Sequence, residues 1–348
     1  MNKLSMGIDV GDKKCFISCY SFDGDVVMEG KPIQTNDEST WRELLEELSS
    51  QYAITAAFEI GPHYDWLYDL LMEYCQEVEV INSQDFVLIH RSHKKTDKID
   101  SIKIAEAILR GGLPSVYVPA KATRQDRRLV SFIHSHSQKQ AKVKNQIRSL
   151  LKPLRIEAPC QDILAQTSRK WLAEEVLPGL DEYHQMTLRM LLEQADMLIE
   201  QRAQLDQRVS ERLADYQSVE ILDSIPGVGP LTALALASAI DDVSRFEEPG
   251  QLASYFGVCG SVYRSGNMSK RGRMTKRGNI HVRWLLGQAL RSLHRKDPKA
   301  RRRYDRLKRG KHTKVARGAQ MRWLVEIVWH LLKKNETYKI TVKPKTAA

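Results

Sequence analysis

LSMGIDVGDKKCFISCYSFDGDVVMEGKPI, residues 4–33, is where the fold is decided. LSMGIDVG is a short apolar strand that ends at Asp9, and KKCFISCYSF alternates apolar and polar residues with the period of a strand. DGD then supplies a hairpin turn signal, and VVMEGKPI follows as a third strand. Beyond it, Ser39 or Thr40 can cap a helix running through Leu48, with Trp41, Leu44, Leu45 and Leu48 on one face. AITAAFEI is a buried strand ending at Glu59, Pro62 opens the helix HYDWLYDLLMEYC, and EVEVIN is a fifth strand.

Three hairpin-like strands, a helix, then strand–helix–strand is the element order of an RNase H-like α/β fold. From about Ala122 the chain turns helical and polar. Leu188, Leu191, Ala195, Leu198, Leu205 and Val209 keep a 3–4 spacing that Arg202 interrupts. That pattern reads equally as a short coiled coil, serving as spacer or dimer contact, and as one long helix packed on its own domain. A third segment begins near Ser218: a glycine turn, a small-residue helix, a basic block and an amphipathic helix around MRWLVEIVWHLL.

Composition narrows the function classes. The longest apolar run, Leu231–Ile240, is too short to span a bilayer, and no charged-then-apolar leader opens the chain, so the expected compartment is the cytoplasm. The five cysteines are scattered without a CxxC pair, which argues against a disulfide framework or a zinc site and for reduced thiols. Net charge is +11, and it is unevenly placed: Arg264–Arg317 holds twenty Lys or Arg against Asp297 and Asp305 alone, so the rest of the chain is net negative. A basic block of this kind is the electrostatic footprint of a polyanion binder, where a merely solvated face would interleave acids.

Four carboxylates draw attention. Asp9 and Glu59 end strands. In KTDKIDSIKIAEAIL, Thr96 can cap a helix on which Asp97 and Asp100 stand at i and i+3, on one face, with Ile99, Ile102 and Ile108 on other azimuths. Singly, each acid has a bland reading, and Asp97 alone would favour a helix N-terminus by under about 1 kcal/mol. Together, strand-end and helix carboxylates at one sheet edge are an all-oxygen ligand set for Mg2+ or Mn2+. Two such ions about 4 Å apart can stabilise both the attacking and leaving oxygens of phosphoryl transfer. Lys94, Lys95 and Lys98 would then contact phosphates beside them.

In LDSIPGVGPLTALALASAI, residues 222–240, Gly227 and Gly229 supply a turn that resembles a helix–hairpin–helix, offering backbone N–H groups to a DNA phosphate. A tight corner without ligand is the alternative. YRSGNMSKRGRMTKRGNIHVR, residues 263–283, surrounds Ser265 with Arg264, Lys270, Arg271, Arg273, Lys276 and Arg277. A serine ringed by cations could attack a phosphodiester. No His or Asp partner stands nearby for a triad, so the residues alone favour Ser265 as a phosphate hydrogen-bond donor.

GIDVG at Asp9, FEIG at Glu59, KTDKID at Asp97 and Asp100, IPGVGPLTA, and RSG…GRMTKRGN together resemble the bridge-RNA-guided insertion-sequence transposases, or DEDD transposases, which include related DNA invertases. The resemblance covers nearly the whole chain. It implies an RuvC-like domain over 1–157, a helical, coiled-coil linker over 158–215, a mostly helical transposase domain over 216–340 and a tail over 341–348. It also implies that Asp9, Glu59, Asp97 and Asp100 bind the divalent metal and that Ser265 is the nucleophile, with Ser261 and Ser269 close enough to be confused with it. Its partners would be donor and target duplex DNA and a structured noncoding bridge RNA, in a homodimer or homotetramer, with no membrane. Ser101 stands where family members often carry alanine. Two other readings remain on the residues: an RuvC-like nuclease or junction resolvase in which water attacks, and a non-catalytic DNA- or RNA-binding protein.

Overall fold

Strand-period alternation in the N-terminal stretch is realised as β1 (Asn2–Val10), β2 (Lys14–Ser21) and β3 (Val26–Gln34), joined by tight turns. The computed structural model describes residues 1–82, 96–265 and 268–340, of which 262–271 are described by backbone alone. Chain contacts divide it into two compact units, Met1–Lys121 and Ala122–Ala348. The helical, polar stretch expected from about Ala122 starts at that division.

In the first unit, α1 (Glu38–Gln51), β4 (Tyr52–Glu59), α2 (Tyr64–Tyr74), β5 (Glu77–Ile81), α3 (Asp97–Arg110) and β6 (Ser115–Val116) follow. The sheet order is β3-β2-β1-β4-β5-β6. β2 is antiparallel to both neighbours, whereas β1, β4 and β5 run parallel, with Ile8 opposite Phe58 and Phe58 opposite Val80. Parallel neighbours need crossover connections, which α1 and α2 supply. This mixed sheet is consistent with the RNase H-like expectation.

Side-chain alternation then assigns the faces. Leu4, Met6 and Ile8 of β1 and Ile54, Ala56 and Phe58 of β4 enter one core with Trp41 and Leu45 of α1 and Leu67 and Leu71 of α2. The intervening residues Gly7, Asp9, Ala57 and Glu59 therefore fall on the opposite face. There Ala57 and Ile81 pack with Ile104, Ala107 and Ile108 of α3.

Two caps differ from expectation. α1 is capped by Asp37, not by Ser39 or Thr40. Its carboxylate accepts from the Thr40 amide at 3.2 Å and from the Ser39 and Thr40 hydroxyls at 2.7 and 2.8 Å, three bonds that also hold its pKa below the usual carboxylate range. α2 begins at Tyr64 with His63 at its N-cap, so Pro62 precedes the helix instead of opening it.

The second unit is mostly helical. α4 (Lys121–Leu151) and α6 (Glu182–Leu213) lie side by side, and α5 (Gln166–Trp171) continues through a π turn into a short 3-10 turn between them. Leu188, Ala195 and Leu198 of α6 bury against Val143, Ile147 and Leu151 of α4, while Val209 and Leu213 join the second unit's main core. The 3–4 apolar spacing is thus used within the chain, which is the packed-helix alternative. Arg202, the interruption, reaches Ser137 Oγ of α4 at 3.2 Å and pairs with Asp206 at 2.8 Å.

α7 (Val219–Asp223), α8 (Pro230–Ile240) and α9 (Pro249–Tyr255) precede a hairpin of β7 (Gly260–Ser265) and β8 (Met268–Met274). α10 (Ile280–Lys296), α11 (Pro298–Gly310) and α12 (Thr313–Lys334) complete the unit. Every residue of α8 from Thr232 to Ile240 is buried, as suits a helix apolar all round. Cys15, Cys19 and Cys75 are buried, Cys259 is half-buried, Cys160 is exposed, and all five are free thiols. No helix among the described residues is long and apolar enough to cross a membrane.

Candidate active site

Asp9 and Glu59 end two adjacent parallel strands on the same face of the sheet, one residue beyond the Ile8–Phe58 pair. The carboxyl ends of parallel strands are where open α/β sheets place their ligands. α3 crosses that same face. Thr96 caps it as the sequence predicts, accepting from the Ile99 amide at 3.4 Å. Asp100 is only 3 % exposed and is met by Lys103 at 3.3 Å, whereas Asp97 is exposed. The face that carries Asp100, Ser101, Ile104, Ala105 and Ile108 is the inward one, and Ile99 and Ile102 are only half-buried. Asp100 therefore lies on the packed side of the helix together with Ile108, while Ile99 and Ile102, expected to be able to pack inward, do so only in part.

What holds α3 down is backbone proximity. A Cβ built on Gly7 would stand 2.2 Å from the Ser101 carbonyl oxygen and 2.3 Å from the Ala105 nitrogen, so only glycine lets the helix lie on β1. The Ser101 hydroxyl donates to the Lys98 carbonyl at 2.8 Å, and it lies 2.9 Å from Ser18 Oγ, which accepts from the Gly30 amide at 3.0 Å. Because Ser101 spends its proton on Lys98, Ser18 must donate to Ser101, giving one ordered chain from β3 through β2 to the first turn of α3. The serine at position 101 thus has partners that alanine would lack. Lys98 runs over Gly30 and pairs with Glu29 at 3.4 Å. Lys94 and Lys95 lie outside the described residues.

Carboxylate oxygens such as those of Asp9, Glu59, Asp97 and Asp100 are the donor chemistry that a hard divalent cation takes. Glu59 Oε1 is buried without a hydrogen-bond partner, the kind of orphaned oxygen that a cation satisfies. Among the described residues, no group of three or more His, Cys, Asp or Glu is gathered closely enough to hold an ion.

In the second unit, Ser265 ends β7 and pairs across the hairpin with Met268, so it stands at the tip. Arg264, Lys270 and Arg271 lie on the two strands, with Arg264 opposite Ser269 and Lys270 opposite Tyr263. Ser261 is near the hairpin's base, exposed, with its Oγ occupying the space that a side chain at Gly272 would need. Arg273, Lys276 and Arg277 are exposed. The base of the hairpin is locked: Thr275 and Lys276 donate to the Cys259 and Gly257 carbonyls at 2.9 and 3.1 Å. Arg283 Nη1 also donates to the carbonyls of Phe256, Arg277 and Gly278 at 3.1, 3.2 and 2.9 Å. Sequence reading missed this clamp, because an arginine in a basic block gives no sign that it faces carbonyls.

Gly227 has φ +96°, and a Cβ there would stand 2.4 Å from the Ala289 carbonyl oxygen, so the turn packs directly on α10. Gly229 is the N-cap of α8, and nothing lies within 4 Å of where its Cβ would be. That helix start opens onto a cavity of about 510 Å³ bordered by Arg202, Asp206, Thr232 and Trp284. The corner alternative accounts for Gly227, while Gly229 keeps an open helix N-terminus.

A sheet of this order with acids at its carboxyl edge, followed by a basic helical unit, is consistent with the class of DEDD, RNase H-like transposases. Residues 6–155 match the family profile of DEDD transposases of the IS110 type, and residues 219–305 match that of the transposase IS116/IS110/IS902 family. Over these two stretches the chain is similar to insertion-sequence transposases of the IS110 type, a family whose members cut DNA and transfer strands and typically use a divalent metal. It is 24 % identical to the transposase for insertion sequence element IS1328 of Yersinia enterocolitica, over 83 % of this chain and 84 % of that protein. It is 26 % identical to the transposase for insertion sequence element IS1111A of Coxiella burnetii, over 70 % and 68 %. The putative transposase y4qE of Sinorhizobium fredii is 25 % identical over 81 % and 69 %.

Proposed function

We propose that this chain is an insertion-sequence transposase, guided by a structured noncoding bridge RNA, that exchanges DNA strands through a covalent bond to Ser265. The observation that carries the metal half of the reading is the placement of Asp9 and Glu59 side by side at the strand ends, on the face that α3 covers. Asp9, Glu59, Asp97 and Asp100 would hold Mg2+ or Mn2+. When bound, that ion neutralises charge on the scissile phosphate. Ser265 Oγ forms a bond to phosphorus, its proton passing to solvent, while the phosphorus–sugar oxygen bond breaks and the sugar leaves as a hydroxyl. Arg264, Lys270, Arg271, Arg273, Lys276 and Arg277 hold the phosphate backbone through this step. Base pairing with the RNA selects the donor and target duplexes, and the protein contributes backbone contacts. The three-part organisation (1–157, 158–215, 216–340) and assembly as a dimer or tetramer belong to the same proposal, since a serine and acids on different protomers could form one site.

The test is to purify the protein with its co-purifying RNA, sequence that RNA, and incubate the complex with labelled donor and target duplexes. On a denaturing gel, a protein–DNA adduct should form with the native protein and with Ser261→Ala and Ser269→Ala. Ser265→Ala should abolish it, and Asp9→Asn or Glu59→Gln should reduce it at least about 100-fold. Cleavage that survives Ser265→Ala without any adduct would establish the nuclease reading instead. Unchanged function in Asp9→Asn would leave only a binding protein.

A further inference from the structure

We propose that the outer face of α11 is a dedicated grip on duplex DNA backbone, separate from the Ser265 hairpin. This rests on the reading of the chain as a DNA-transposing enzyme. α11 is anchored along its inner side. Ala300 is fully buried, Tyr304 stacks on His294 with ring centroids 4.5 Å apart, and Arg303 lies over the Trp323 ring at 5.4 Å. Its N-cap, Asp297, is buried and accepts both the Lys299 amide at 2.7 Å and the Tyr338 hydroxyl. On the opposite side, Arg302, Arg306 and Arg309 form one exposed row at i, i+4 and i+7.

This row contrasts with arginines that have a carboxylate on their own helix. Several exposed arginines pair along their own helices: Arg42 with Glu38, Arg110 with Glu106, Arg208 with Glu211, and Arg301 of α11 itself with Asp305. Among the described residues no acid pairs with Arg302, Arg306 or Arg309. The row also carries a repulsive term, since like charges three and four apart on a helix repel, although Arg309 in the last turn is favourable to the helix dipole. A polyanion neutralises the mutual repulsion of the row. At 1.5 Å per residue the row extends about 10 Å, about three base-pair rises of 3.4 Å along the duplex axis. A firmly anchored helix holds the guanidinium groups without ordering a loop, and phosphate contact of this kind positions a duplex without reading its sequence.

The test compares full-length wild type, Arg302→Gln/Arg306→Gln/Arg309→Gln, the corresponding triple lysine variant, and a charge-matched control, Arg42→Gln/Arg110→Gln/Arg208→Gln. Affinity is measured between 50 and 200 mM salt on a blunt duplex DNA of arbitrary sequence and on an RNA duplex of equal length. The glutamine ridge variant should lower the log–log salt slope on DNA by about 2.7, at about 0.9 per phosphate contact, so its deficit shrinks about 40-fold across that range. The lysine variant should keep most of the slope, and the control should shift it by less than about 1. Should the triple variant fail to fold by its thermal midpoint, Arg306→Gln alone should lower the slope by about 0.9. An unchanged slope, a control that loses as much, or a loss confined to RNA overturns the proposal. Ser265→Ala should leave the slope as in wild type, so failure of the nucleophile reading would show separately.

Discussion

Gly7→Ala isolates the link between packing and the proposed metal site. Gly7 does not have the left-handed φ that would favour glycine, so the effect comes from space alone. The new Cβ would lie 2.2 Å from Ser101 O, 2.3 Å from Ala105 N and 2.9 Å from Ala105 Cα, and all three are backbone atoms that no rotamer change can move. Ordinary contact needs roughly 3.3 Å, so α3 must lift by about 1 Å or β1 must buckle. Overpacking of that kind costs about 1–3 kcal/mol. It also carries Asp97 and Asp100 away from Asp9 and Glu59, and a misplacement of about 1 Å can cost about 100-fold in rate. Denaturant unfolding should therefore show the stability loss, and strand cleavage under conditions where the variant remains folded should fall about 100-fold. Wild-type stability together with wild-type cleavage would refute the reasoning, because the side chain has nowhere else to go.

Asp126→Ala should destabilise the second unit by about 2–3 kcal/mol in denaturant unfolding. Asp126 is buried, accepts from Arg212 Nε and Nη2 at 2.8 and 3.1 Å and from the Tyr216 hydroxyl at 2.8 Å, and Arg212 keeps Asp215 as a second partner. A loss below about 0.5 kcal/mol would show that water replaces the carboxylate, as at a surface pair. His134 and His281 meet Nδ1 to Nδ1 at 2.7 Å between α4 and α10, with His134 stacked on Trp284. Burial lowers both pKa values from their ordinary 6.5, and for His281 the neighbouring His134 and Arg283 lower it further. Because the folded pKa values are depressed, their contribution is fully present above pH 6.5 and is lost as pH falls through the folded values. The thermal midpoint should drop between pH 6.5 and 5 in wild type and less in His134→Gln, and equal pH profiles would contradict this.

Much of the first unit was legible because strand alternation and helix periodicity are local. The five strands up to Ile81, the DGD turn and the Thr96 cap depend on neighbours within a few residues. Asp37 was missed as a cap because several polar residues in succession all qualify, and the choice among them follows from which can accept most bonds. The 3–4 pattern of α6 could not say whether its partner was another chain or α4, since both bury the same stripe. The burial of Asp100 escaped notice because i and i+3 spacing does not say which azimuth meets the sheet, and Asp97, at the first position of the helix, stays exposed while Asp100 does not.

For this protein, the sequence by itself determined the element order, the strand-end positions of Asp9 and Glu59, the uneven charge and the family motifs, all of which are matters of spacing. Tertiary structure alone decided that odd positions of β1 and β4 face α3, that Gly7 admits the helix, and that Arg283 turns inward while Arg302, Arg306 and Arg309 stay exposed. Those outcomes depend on which surfaces meet across long separations in the chain, and no local pattern encodes a side chain's distant neighbour.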